Sequence, residues 1–492
     1  MSPPGRRYRL TAALAVLSLL CGWLGLRPER SGAAVATVPR PLWSPDRLPA
    51  LLAEAQGTVD LERAVDELLA RSLAAPAAAV RGTPPVPRAV AAPAAAVGGT
   101  PPVPRAGARS CLAVYEGTRP VLLRRPDEAL TPASTQKVLV ATAALSVLGP
   151  DFRFETKVVA ESRPRDGAVG TLWLVGSGDP TLATPEYAQW LKDRPRYQLR
   201  QVTPLAALAD GLAAAGVRTV AGGVVGDDSR YDRARTVPTW KPSYIAANEV
   251  GPLGALLVND GFTVFDQPIA QRADDPAVHT AAELTRLAGE LGISVAGPAA
   301  SGVAPAKPTT VATVRSAPLS DIVAGMLRES DNTAAELLTR ELGVVKAHDG
   351  STAAGIRAVV AALAAAGLPT AGLRLGDGSG LEITNQITCS VLAGALRVPD
   401  RGGAPRLEPL LAVAGRSGTL APRLVDTPLD GKLRAKTGSL DGVSGLAGFL
   451  DGRRELSFAF LANGNLSDAA GRLLQDRLVA LLAAYPGPQP HL

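Results

Sequence analysis

Residues 131–145 read TPASTQKVLVATAAL and place a serine three positions before a lysine, at the head of an apolar segment. Only two residues between Val138 and Leu148 are polar. A helix that is apolar on all sides is normally buried, so this segment predicts a buried helix with Lys137 near the core. Burial disfavours the charged form of lysine. Two interpretations are open: Ser134 caps the helix while Lys137 extends its amine to water, or the two side chains form a reactive pair.

The composition indicates a folded protein of two or three domains. The chain has 492 residues, and 46% of them are hydrophobic, which is enough to bury a sizeable core. The net charge is +6, but no long basic run occurs and only 4% of the residues are aromatic. That combination argues against a nucleic-acid-binding surface, so we expect no nucleic-acid partner. A weak attraction to an anionic polymer is compatible with the charge.

The first 36 residues have the pattern of an export signal. Three arginines within residues 6–9 precede an uncharged apolar run over residues 10–26, and an A-x-A sequence at 34–36 is a candidate cleavage site. Residues 1–36 are therefore interpreted as a signal peptide or a signal anchor. Cleavage would release the protein, whereas retention would anchor it in the membrane through residues 10–26. Either way we expect it to act outside the cytoplasm.

The rest of the chain divides into segments that differ in composition and in predicted secondary structure. Residues 37–73 are predicted to be helical, and residues 74–106 hold a Pro/Ala-rich tandem repeat that cannot bury a core and is expected to be flexible. A hairpin and the buried helix come next. Short strands and helices over 155–315 then predict one or two small inserted domains, in which the Asn-Asp-Gly turn at 259–261 joins two strands. Long helices and three antiparallel strands are predicted within 316–492.

Histidine usage limits the chemistry that this chain can support. It has three histidines, and none is paired with another at metal-ligand spacing, so we expect no metal site. No G-x-S-x-G pattern is present, so a serine hydrolase here would need a base other than histidine. Only eight of the 51 basic side chains are lysines. Because a desolvated lysine can act as a base and an arginine cannot, Lys137 is informative in this chain.

Two later tripeptides complete a set with Ser134 and Lys137. Ser330-Asp331-Asn332 lies between two predicted helices, and Lys436-Thr437-Gly438 lies late in a predicted strand. Each also has a purely structural interpretation. The serine and the asparagine are common helix caps, and the glycine is common in turns. The three motifs together, in this order and in these contexts, favour a catalytic site.

The cysteines permit at most one disulfide in the mature chain. Cys21 lies in the apolar N-terminal run, which leaves Cys111 and Cys389, and no C-x-x-C motif is present. Whether these two are bonded stays open from the sequence.

The motifs S-x-x-K, S-D-N and K-T-G in this order resemble those of the penicillin-binding proteins and serine β-lactamases. The long separation between Ser134 and Ser330 narrows the resemblance to the D-alanyl-D-alanine carboxypeptidase/DD-endopeptidase family, the class C low-molecular-mass penicillin-binding proteins. The resemblance extends from about Arg109 to the C-terminus. The stretches that carry it include PASTQK, LVGSGDPTL, GGVVGDDSRYD, MLRESDNTAAELLTREL, GDGSGLE, VAGRSGTLAPRL and KLRAKTGSLDGVSGLAGFL.

The resemblance implies an α/β fold of the α+β kind. The expected core is a penicillin-binding transpeptidase/β-lactamase-like domain, with a five-stranded antiparallel sheet flanked by helices. It would be built from residues 107–154 and 316–492 and interrupted by the inserted small domains over 155–315.

The same resemblance implies roles for individual residues. Ser134 would be the nucleophile, with Lys137 as its general base, kept largely neutral by burial and by the charge of Lys436. Ser330 would pass a proton to the leaving D-alanine. Backbone N–H groups of Ser134 and Ser439 would form the oxyanion hole. The implied substrate-binding residues are Asn332, Lys436, Thr437, Gly438, Ser439 and Asp179, with the glycine letting the substrate backbone approach the strand.

The implied substrates are peptidoglycan stem peptides that end in D-Ala-D-Ala, or cross-links of the same stereochemistry. β-Lactam antibiotics would act as inhibitors that acylate Ser134, and no cofactor is expected. Two alternatives stay open: a β-lactamase or esterase that deacylates rapidly, and a non-catalytic penicillin-binding sensor. Asp179 also has a structural interpretation, because an aspartate in a Gly/Pro turn often bonds to its own backbone.

One position departs from the family. Family members commonly carry Ser-Arg after the sequence DGSGL, and the arginine helps to hold a carboxylate of the stem-peptide side chain. This chain has Glu382 and Ile383 there, and isoleucine cannot donate a hydrogen bond. We therefore expect a preference for stem peptides whose side-chain carboxylate is amidated or missing. A different interpretation is that EITN copies the E-x-x-N deacylation motif of class A β-lactamases, with Glu382 activating water.

Overall fold

The computed structural model describes residues 48–74, 108–266, 269–398 and 406–490. The predictions for residues 1–36 and for the repeat therefore lie outside the described residues, except for Ala74, which ends a helix. Numbered in chain order, the helices are α1 Leu48–Ala74, α2 Lys137–Leu148, α3 Pro185–Lys192, α4 Ala206–Ala214, α5 Pro242–Ala246, α6 Pro276–Glu290, α7 Leu319–Glu329, α8 Asn332–Ala347, α9 Thr352–Ala365, α10 Cys389–Leu396 and α11 Asp468–Ala484. Short 3₁₀ turns lie at Ala133–Gln136, Asn259–Gly261, Glu408–Leu410 and Gly418–Leu420.

The main sheet is antiparallel throughout, as predicted. It contains five strands of six to nine residues and a two-residue strand at one edge, so the prediction of five strands omitted only this short one. From edge to edge the strands are β15 Ala412–Val413, β16 Leu433–Leu440, β17 Val443–Asp451, β18 Glu455–Asn463, β1 Arg109–Glu116 and β2 Arg119–Arg124. The predicted hairpin turning near Glu116 and the three closing strands are confirmed.

Helices cover both faces of this sheet, and the alternation of side chains along each strand separates two cores. In β1, Cys111 and Ala113 face a cluster with α2 and α7–α10, while Leu112 and Val114 face a cluster with α1 and α11. Because both faces are covered, the strands are apolar at successive positions rather than at alternate ones. The predicted buried helix is confirmed as α2, whose residues 137–145 are all buried.

The described cysteines are joined: Cys111 in β1 bonds to Cys389 at the first residue of α10. The two Cα atoms lie 5.9 Å apart, and the bond closes a separation of 278 residues. It connects β1, which lies next to the edge strand β2, to a helix on one face of the main sheet, and both cysteines belong to the same hydrophobic cluster. The sequence alone left this pairing open.

Residues 155–315 form sheets of their own. A five-stranded mixed sheet has the order β13 Ala300–Ser301, β9 Val224–Asp227, β5 Leu172–Val175, β3 Glu155–Ala160 and β14 Thr309–Arg315. Smaller sheets pair β12 Ser294–Val295, β8 Thr219–Val220 and β4 Ala168–Val169, then β10 Phe262–Val264 with β11 Gln271–Arg272, and β6 Leu182–Ala183 with β7 Thr203–Pro204. A separate hydrophobic cluster spans Val158 to Val314, which supports the inserted-domain boundaries; these stay a proposal.

The predicted hairpin at the Asn-Asp-Gly sequence is wrong. Asn259–Gly261 is a 3₁₀ turn, and the residues before it form no strand. The strand that follows, β10, pairs instead with β11, which lies later in the chain. The turn chemistry was recognised correctly, since Asn259 and Asp260 both have positive φ angles, but a turn motif does not determine which strand becomes the partner.

Two absences can be stated for the described ranges only. Within them, no helix is both long and apolar enough to cross a membrane. The apolar run over residues 10–26 lies outside these ranges. Within them too, no group of three or more His, Cys, Asp or Glu side chains is placed to hold a metal ion.

Candidate active site

The Ser134–Lys137 pair is formed by the turn that leads into α2. Residues Ala133–Gln136 are a 3₁₀ turn, and the α-helix begins at Lys137. One turn of helix brings Lys137 Nζ to 2.9 Å from Ser134 Oγ. Ser134 caps neither the 3₁₀ turn nor α2 through its side chain. The capping interpretation is therefore wrong, and the hydroxyl is available to the lysine.

Lys137 does not extend to water, because its side chain is fully buried. Besides Ser134 Oγ, its Nζ lies 2.6 Å from Asn332 Oδ1 and 2.7 Å from the Ser379 carbonyl oxygen. A neutral amine has two N–H groups and one lone pair. It can donate to the amide and the carbonyl oxygen and still direct the lone pair at the serine hydroxyl, which is the arrangement a general base requires.

Burial lowers the pKa of Lys137 from 10.5 to about 8, while the charges of Asp377 and Glu336 oppose that shift. With a pKa of about 8, about a tenth of the molecules carry a neutral amine at pH 7. The shift has the predicted direction, and the prediction of a largely neutral lysine stays a prediction. Burial also lowers the pKa of Lys436, with the charge of Lys137 as the next cause.

The Ser330–Asn332 turn connects α7 to α8. Ser330 adopts the left-handed conformation, with φ 65° and ψ 38°, directly after α7. Asp331 caps α8, because its Oδ1 accepts a hydrogen bond of 2.9 Å from the Ala334 N–H. The interpretation of Ser330 or Asn332 as the cap is therefore wrong. Their side chains face the two lysines instead, with Ser330 Oγ 2.9 Å from Lys436 Nζ.

The K-T-G motif lies inside β16 and not at its end. Lys436 is fully buried, and its Nζ also donates to the Thr437 carbonyl oxygen at 2.6 Å. Gly438 pairs with Gly445 of β17, so the turn-glycine interpretation is wrong. A Cβ at position 438 would lie 2.8 Å from the Pro132 carbonyl oxygen, which is too close. Glycine thus lets β16 approach the turn that carries Ser134; its predicted contact with substrate stays a prediction.

The open edge of β16 borders a cavity of about 590 Å³. Among the described residues, β15 pairs only with Arg434 and Ala435, so no strand covers this edge at the K-T-G motif. The cavity is lined there by Thr437 and Ser439, together with Thr419 and Arg196. A second cavity, of about 360 Å³, is bordered by Ser330 and Asn332. The two cavities thus border residues of the K-T-G and S-D-N motifs.

Sequence reasoning assigned no role to Asp377, which organises the loop that carries the Ser379 carbonyl. Its carboxylate is fully buried and accepts hydrogen bonds from Trp240 Nε1 at 2.9 Å and Ser379 Oγ at 3.1 Å. It also accepts hydrogen bonds from side-chain or backbone groups of Gln136, Gly380, Glu382 and Asn385. The stretch GDGSGLE contained this residue, but only as part of a family pattern.

Glu336 of α8 supports the same loop. Its Oε1 accepts backbone N–H groups of Gly378 and Ser379 at 3.0 and 2.7 Å. Burial raises the pKa of Glu336 to about 7, with the charge of Asp377 as a further cause. The loop that presents an oxygen to Lys137 is thus fixed by two buried acids.

Asp179 is not brought into this cluster by any hydrogen bond of the described residues. Its Oδ1 accepts the backbone N–H and the hydroxyl of Thr181 at 2.8 and 2.6 Å, which is a local turn. The carboxylate is buried, and burial raises its pKa. These contacts favour the structural interpretation, although Oδ2 is buried without a partner.

The two residues that depart from the family point in different directions. Glu382 is buried and accepts the Thr384 N–H at 2.9 Å, so its carboxylate is not presented to solvent. No hydrogen bond of the described residues joins Glu382 to Ser134 or Lys137. Ile383 is 43% exposed. The surface at this position is therefore apolar rather than acidic.

Comparison with known proteins identifies the family. The family model described as D-Ala-D-Ala carboxypeptidase 3 (S13) matches residues 107–266 and 263–485. This chain belongs to that family. S13 membership makes it a serine-type D-Ala-D-Ala carboxypeptidase, the enzyme class predicted from the motifs.

Relatives agree with S13 membership, and a solved structure shares the fold. A D-alanyl-D-alanine carboxypeptidase of Actinomadura is 34% identical over 446 residues, covering 74% of this chain and 79% of that protein. A carboxypeptidase of Mycobacterium tuberculosis is 35% identical over 372 residues, covering 73% and 76%. Penicillin-binding protein 4 of Haemophilus influenzae has the same fold, with a TM-score of 0.64 and 22% identity over 77% of this chain and 97% of that one. It has also been solved with a β-lactam.

Proposed function

We propose that this S13 enzyme cleaves D-Ala-D-Ala ends of peptidoglycan stem peptides through an acyl-enzyme at Ser134. One observation carries the proposal: the fully buried amine of Lys137 lies within 2.9 Å of Ser134 Oγ and is held there by Asn332 Oδ1 and the Ser379 carbonyl oxygen. A serine with a lysine so placed is an activated nucleophile without any histidine.

The first half of the reaction forms the acyl-enzyme. The neutral amine of Lys137 takes the proton of Ser134 Oγ as that oxygen attacks the carbonyl carbon of the penultimate D-alanine. The developing oxyanion would accept hydrogen bonds from the backbone N–H groups of Ser134 and Ser439. The C–N bond then breaks, and the proton that Lys137 accepted passes to the leaving amine through the Ser330 hydroxyl, which lies 2.9 Å from Lys436 Nζ, so that Lys137 is neutral again. Free D-alanine departs.

The second half returns the enzyme to its starting state. A water molecule gives a proton to Lys137 and attacks the acyl carbonyl, and the serine oxygen leaves and regains its proton. Asn332 would hold the amide of the substrate, and Lys436 with Thr437 would hold its terminal carboxylate. The positive side chain of Arg196 lines the same cavity as Thr437. A charge of this sign suits an anionic peptide end.

β-Lactams would enter the same path, because their strained amide places a carbonyl carbon where the D-alanyl carbonyl would lie. We propose that they acylate Ser134 and deacylate slowly. The proposed place of action is outside the cytoplasm, where the substrate is found. The buried Cys111–Cys389 disulfide supports this, because such bonds persist in oxidising compartments. We also propose that residues 1–36 direct export, either as a signal peptide that is cleaved or as a signal anchor that is retained.

Intact-mass measurement after incubation with benzylpenicillin tests the site. We expect one drug adduct per chain and none in Ser134→Ala. Ser146→Ala is the matched control, because Ser146 lies on α2 and is exposed, and it should label normally. An adduct that persists in Ser134→Ala would refute the nucleophile. An adduct that forms and vanishes within minutes would instead support a β-lactamase.

Peptide substrates test the reaction itself. A stem pentapeptide ending in D-Ala-D-Ala should lose one D-alanine, as measured by mass, and Ser134→Ala should release none. Labelling by penicillin without any release of D-alanine would support a non-catalytic sensor. Cross-linked muropeptides in a parallel reaction separate the two activities, because only an endopeptidase divides them into monomers.

A further inference from the structure

The Ser330–Asn332 turn is held by a residue from outside the helices that flank it. Arg200 follows α3 in the 155–315 region, and its Nη2 lies 2.5 Å from Asp331 Oδ2. The same guanidinium binds both carboxylate oxygens of Asp260, at 3.0 and 3.2 Å. Arg200 thus joins Asp331, the middle residue of the turn, to Asp260. Like Arg200, Asp260 lies in the 155–315 region.

These contacts are mostly buried, and they lie at the wall of the cavity of about 360 Å³ that Ser330 and Asn332 border. The side chain of Arg200 is 9% exposed, that of Asp260 is 11% exposed and that of Asp331 is 8% exposed. A third acid, Glu329, lies 3.6 Å from the guanidinium, and the Tyr187 hydroxyl donates to Asp260 Oδ2 at 3.2 Å. Charges removed from water require paired, well-oriented partners, so this guanidinium has little freedom to move.

The turn needs an external restraint for two reasons. Ser330 has a φ of 65°, and a residue other than glycine adopts this conformation only when its surroundings hold it there. The turn also serves both lysines at once, since Ser330 Oγ lies beside Lys436 and Asn332 Oδ1 lies beside Lys137. A shift of the turn would therefore disturb the base and the proton relay together.

The two carboxylate oxygens of Asp331 make different contacts. Oδ1 caps α8 through the Ala334 N–H, and Oδ2 receives Arg200. The cap orients the helix, whereas the ion pair ties the turn to Asp260. Replacing Asp331 by asparagine would keep a capping oxygen and remove the charge that Arg200 binds.

We propose that Arg200 is a positioning residue for the reaction: by holding Asp331 against Asp260, it places Ser330 and Asn332 on the two active-site lysines. This inference rests on the proposed function, because it assigns Arg200 a task in acylation. Arg200 itself contacts neither Ser134 nor Lys137 through a hydrogen bond among the described residues, so it acts through Asp331.

The test compares benzylpenicillin acylation of the wild type with that of Arg200→Lys and Arg200→Met. Arg194→Met is the matched control, because Arg194 lies in the same segment but stacks on Trp190 and bonds its carbonyl oxygen. Intact mass gives two separate quantities, the fraction labelled at completion and the rate constant. A purely structural role would lower the labelled fraction and leave the rate constant of the folded molecules unchanged.

We expect full labelling of Arg200→Lys at a rate at least about tenfold below wild type, with a larger loss in Arg200→Met and none in Arg194→Met. In an Asp331→Asn background, Arg200→Met should slow acylation by no more than about twofold, because its route of action is already gone. Wild-type rate constants in both Arg200 variants would overturn the inference alone. So would rate losses that simply multiply in the double variant. A wild type that takes no label would refute the proposed function, and the inference with it.

Discussion

Acylation of Ser134 should depend on pH through the neutral fraction of Lys137. Burial lowers the pKa of this lysine from 10.5 to about 8. At pH 7 the neutral fraction is therefore about a tenth, whereas a lysine with the pKa it has in water would be neutral in about three molecules in ten thousand. Burial thus raises the population of reactive amine by a factor on the order of a few hundred, which corresponds to roughly 3 kcal/mol.

The sign follows from the chemistry, because only the deprotonated amine accepts the serine proton. The second-order rate constant for acylation by benzylpenicillin, measured by quenched intact mass from about pH 5.5 to about pH 9.5, should rise about tenfold per unit below pH 7 and level off above about pH 8. Lys137→Arg keeps the positive charge but cannot accept a proton, so it should be slow at every pH. A flat profile, or a midpoint near that of free lysine, would refute the assignment of Lys137 as base.

Glu336→Gln provides a companion measurement. The charge of Glu336 raises the pKa of Lys137, and its Oε1 accepts two backbone N–H groups that a glutamine oxygen can also accept. The variant should therefore keep the loop in place and move the midpoint of the acylation profile to lower pH. Because the pKa of Glu336 is about 7 and that of Lys137 about 8, the rate difference from wild type should be largest between about pH 7 and pH 8 and disappear on the plateau above it. A midpoint that moves upward would contradict this electrostatic reasoning.

Three further predictions follow from specific contacts. Gly438→Ala would place a Cβ 2.8 Å from the Pro132 carbonyl oxygen, so we expect acylation to slow by about ten- to a hundredfold, and a wild-type rate would contradict the close approach. Replacing Cys111 and Cys389 by serine should lower the free energy of unfolding in urea by about 2–5 kcal/mol, since the bond closes 278 residues; an unchanged midpoint would show that packing alone holds α10. Ile383 offers no hydrogen-bond donor, so kcat/KM should favour amidated over free-acid stem peptides by about ten- to a hundredfold, and Ile383→Arg should remove the preference; a wild type that favours the free acid would show compensation elsewhere.

The sequence alone was sufficient where the deciding interactions are local. The apolar run after Lys137 predicted a buried helix, and one helical turn already places a lysine over a serine three residues before it. The closing strands Leu433–Leu440, Val443–Asp451 and Glu455–Asn463 followed from apolar segments separated by turn residues. The motifs also identified Ser330 and Lys436, because a resemblance to a family is carried by residue types and their order and requires no knowledge of distances.

Local interpretation failed where several residue types could do the same job. Serine, aspartate and asparagine are all good helix caps, and only the backbone conformation of the turn decides that Asp331 caps α8 while Ser330 and Asn332 face the lysines. The Asn-Asp-Gly turn at 259–261 was recognised, but its predicted hairpin was wrong because the partner of a short strand is chosen by the whole sheet.

The tertiary structure alone decided the features that depend on distant residues. Lys137 meets Asn332 and the Ser379 carbonyl, which lie 195 and 242 residues away along the chain. Its pKa of about 8 depends on complete burial and on the acids around it, and no window of sequence contains those quantities. The Cys111–Cys389 bond and the ion pair of Arg200 with Asp331 are of the same kind. Sequence patterns determine local conformation and chemical type, whereas the packing of elements distant along the chain determines which groups meet and how far from water they lie.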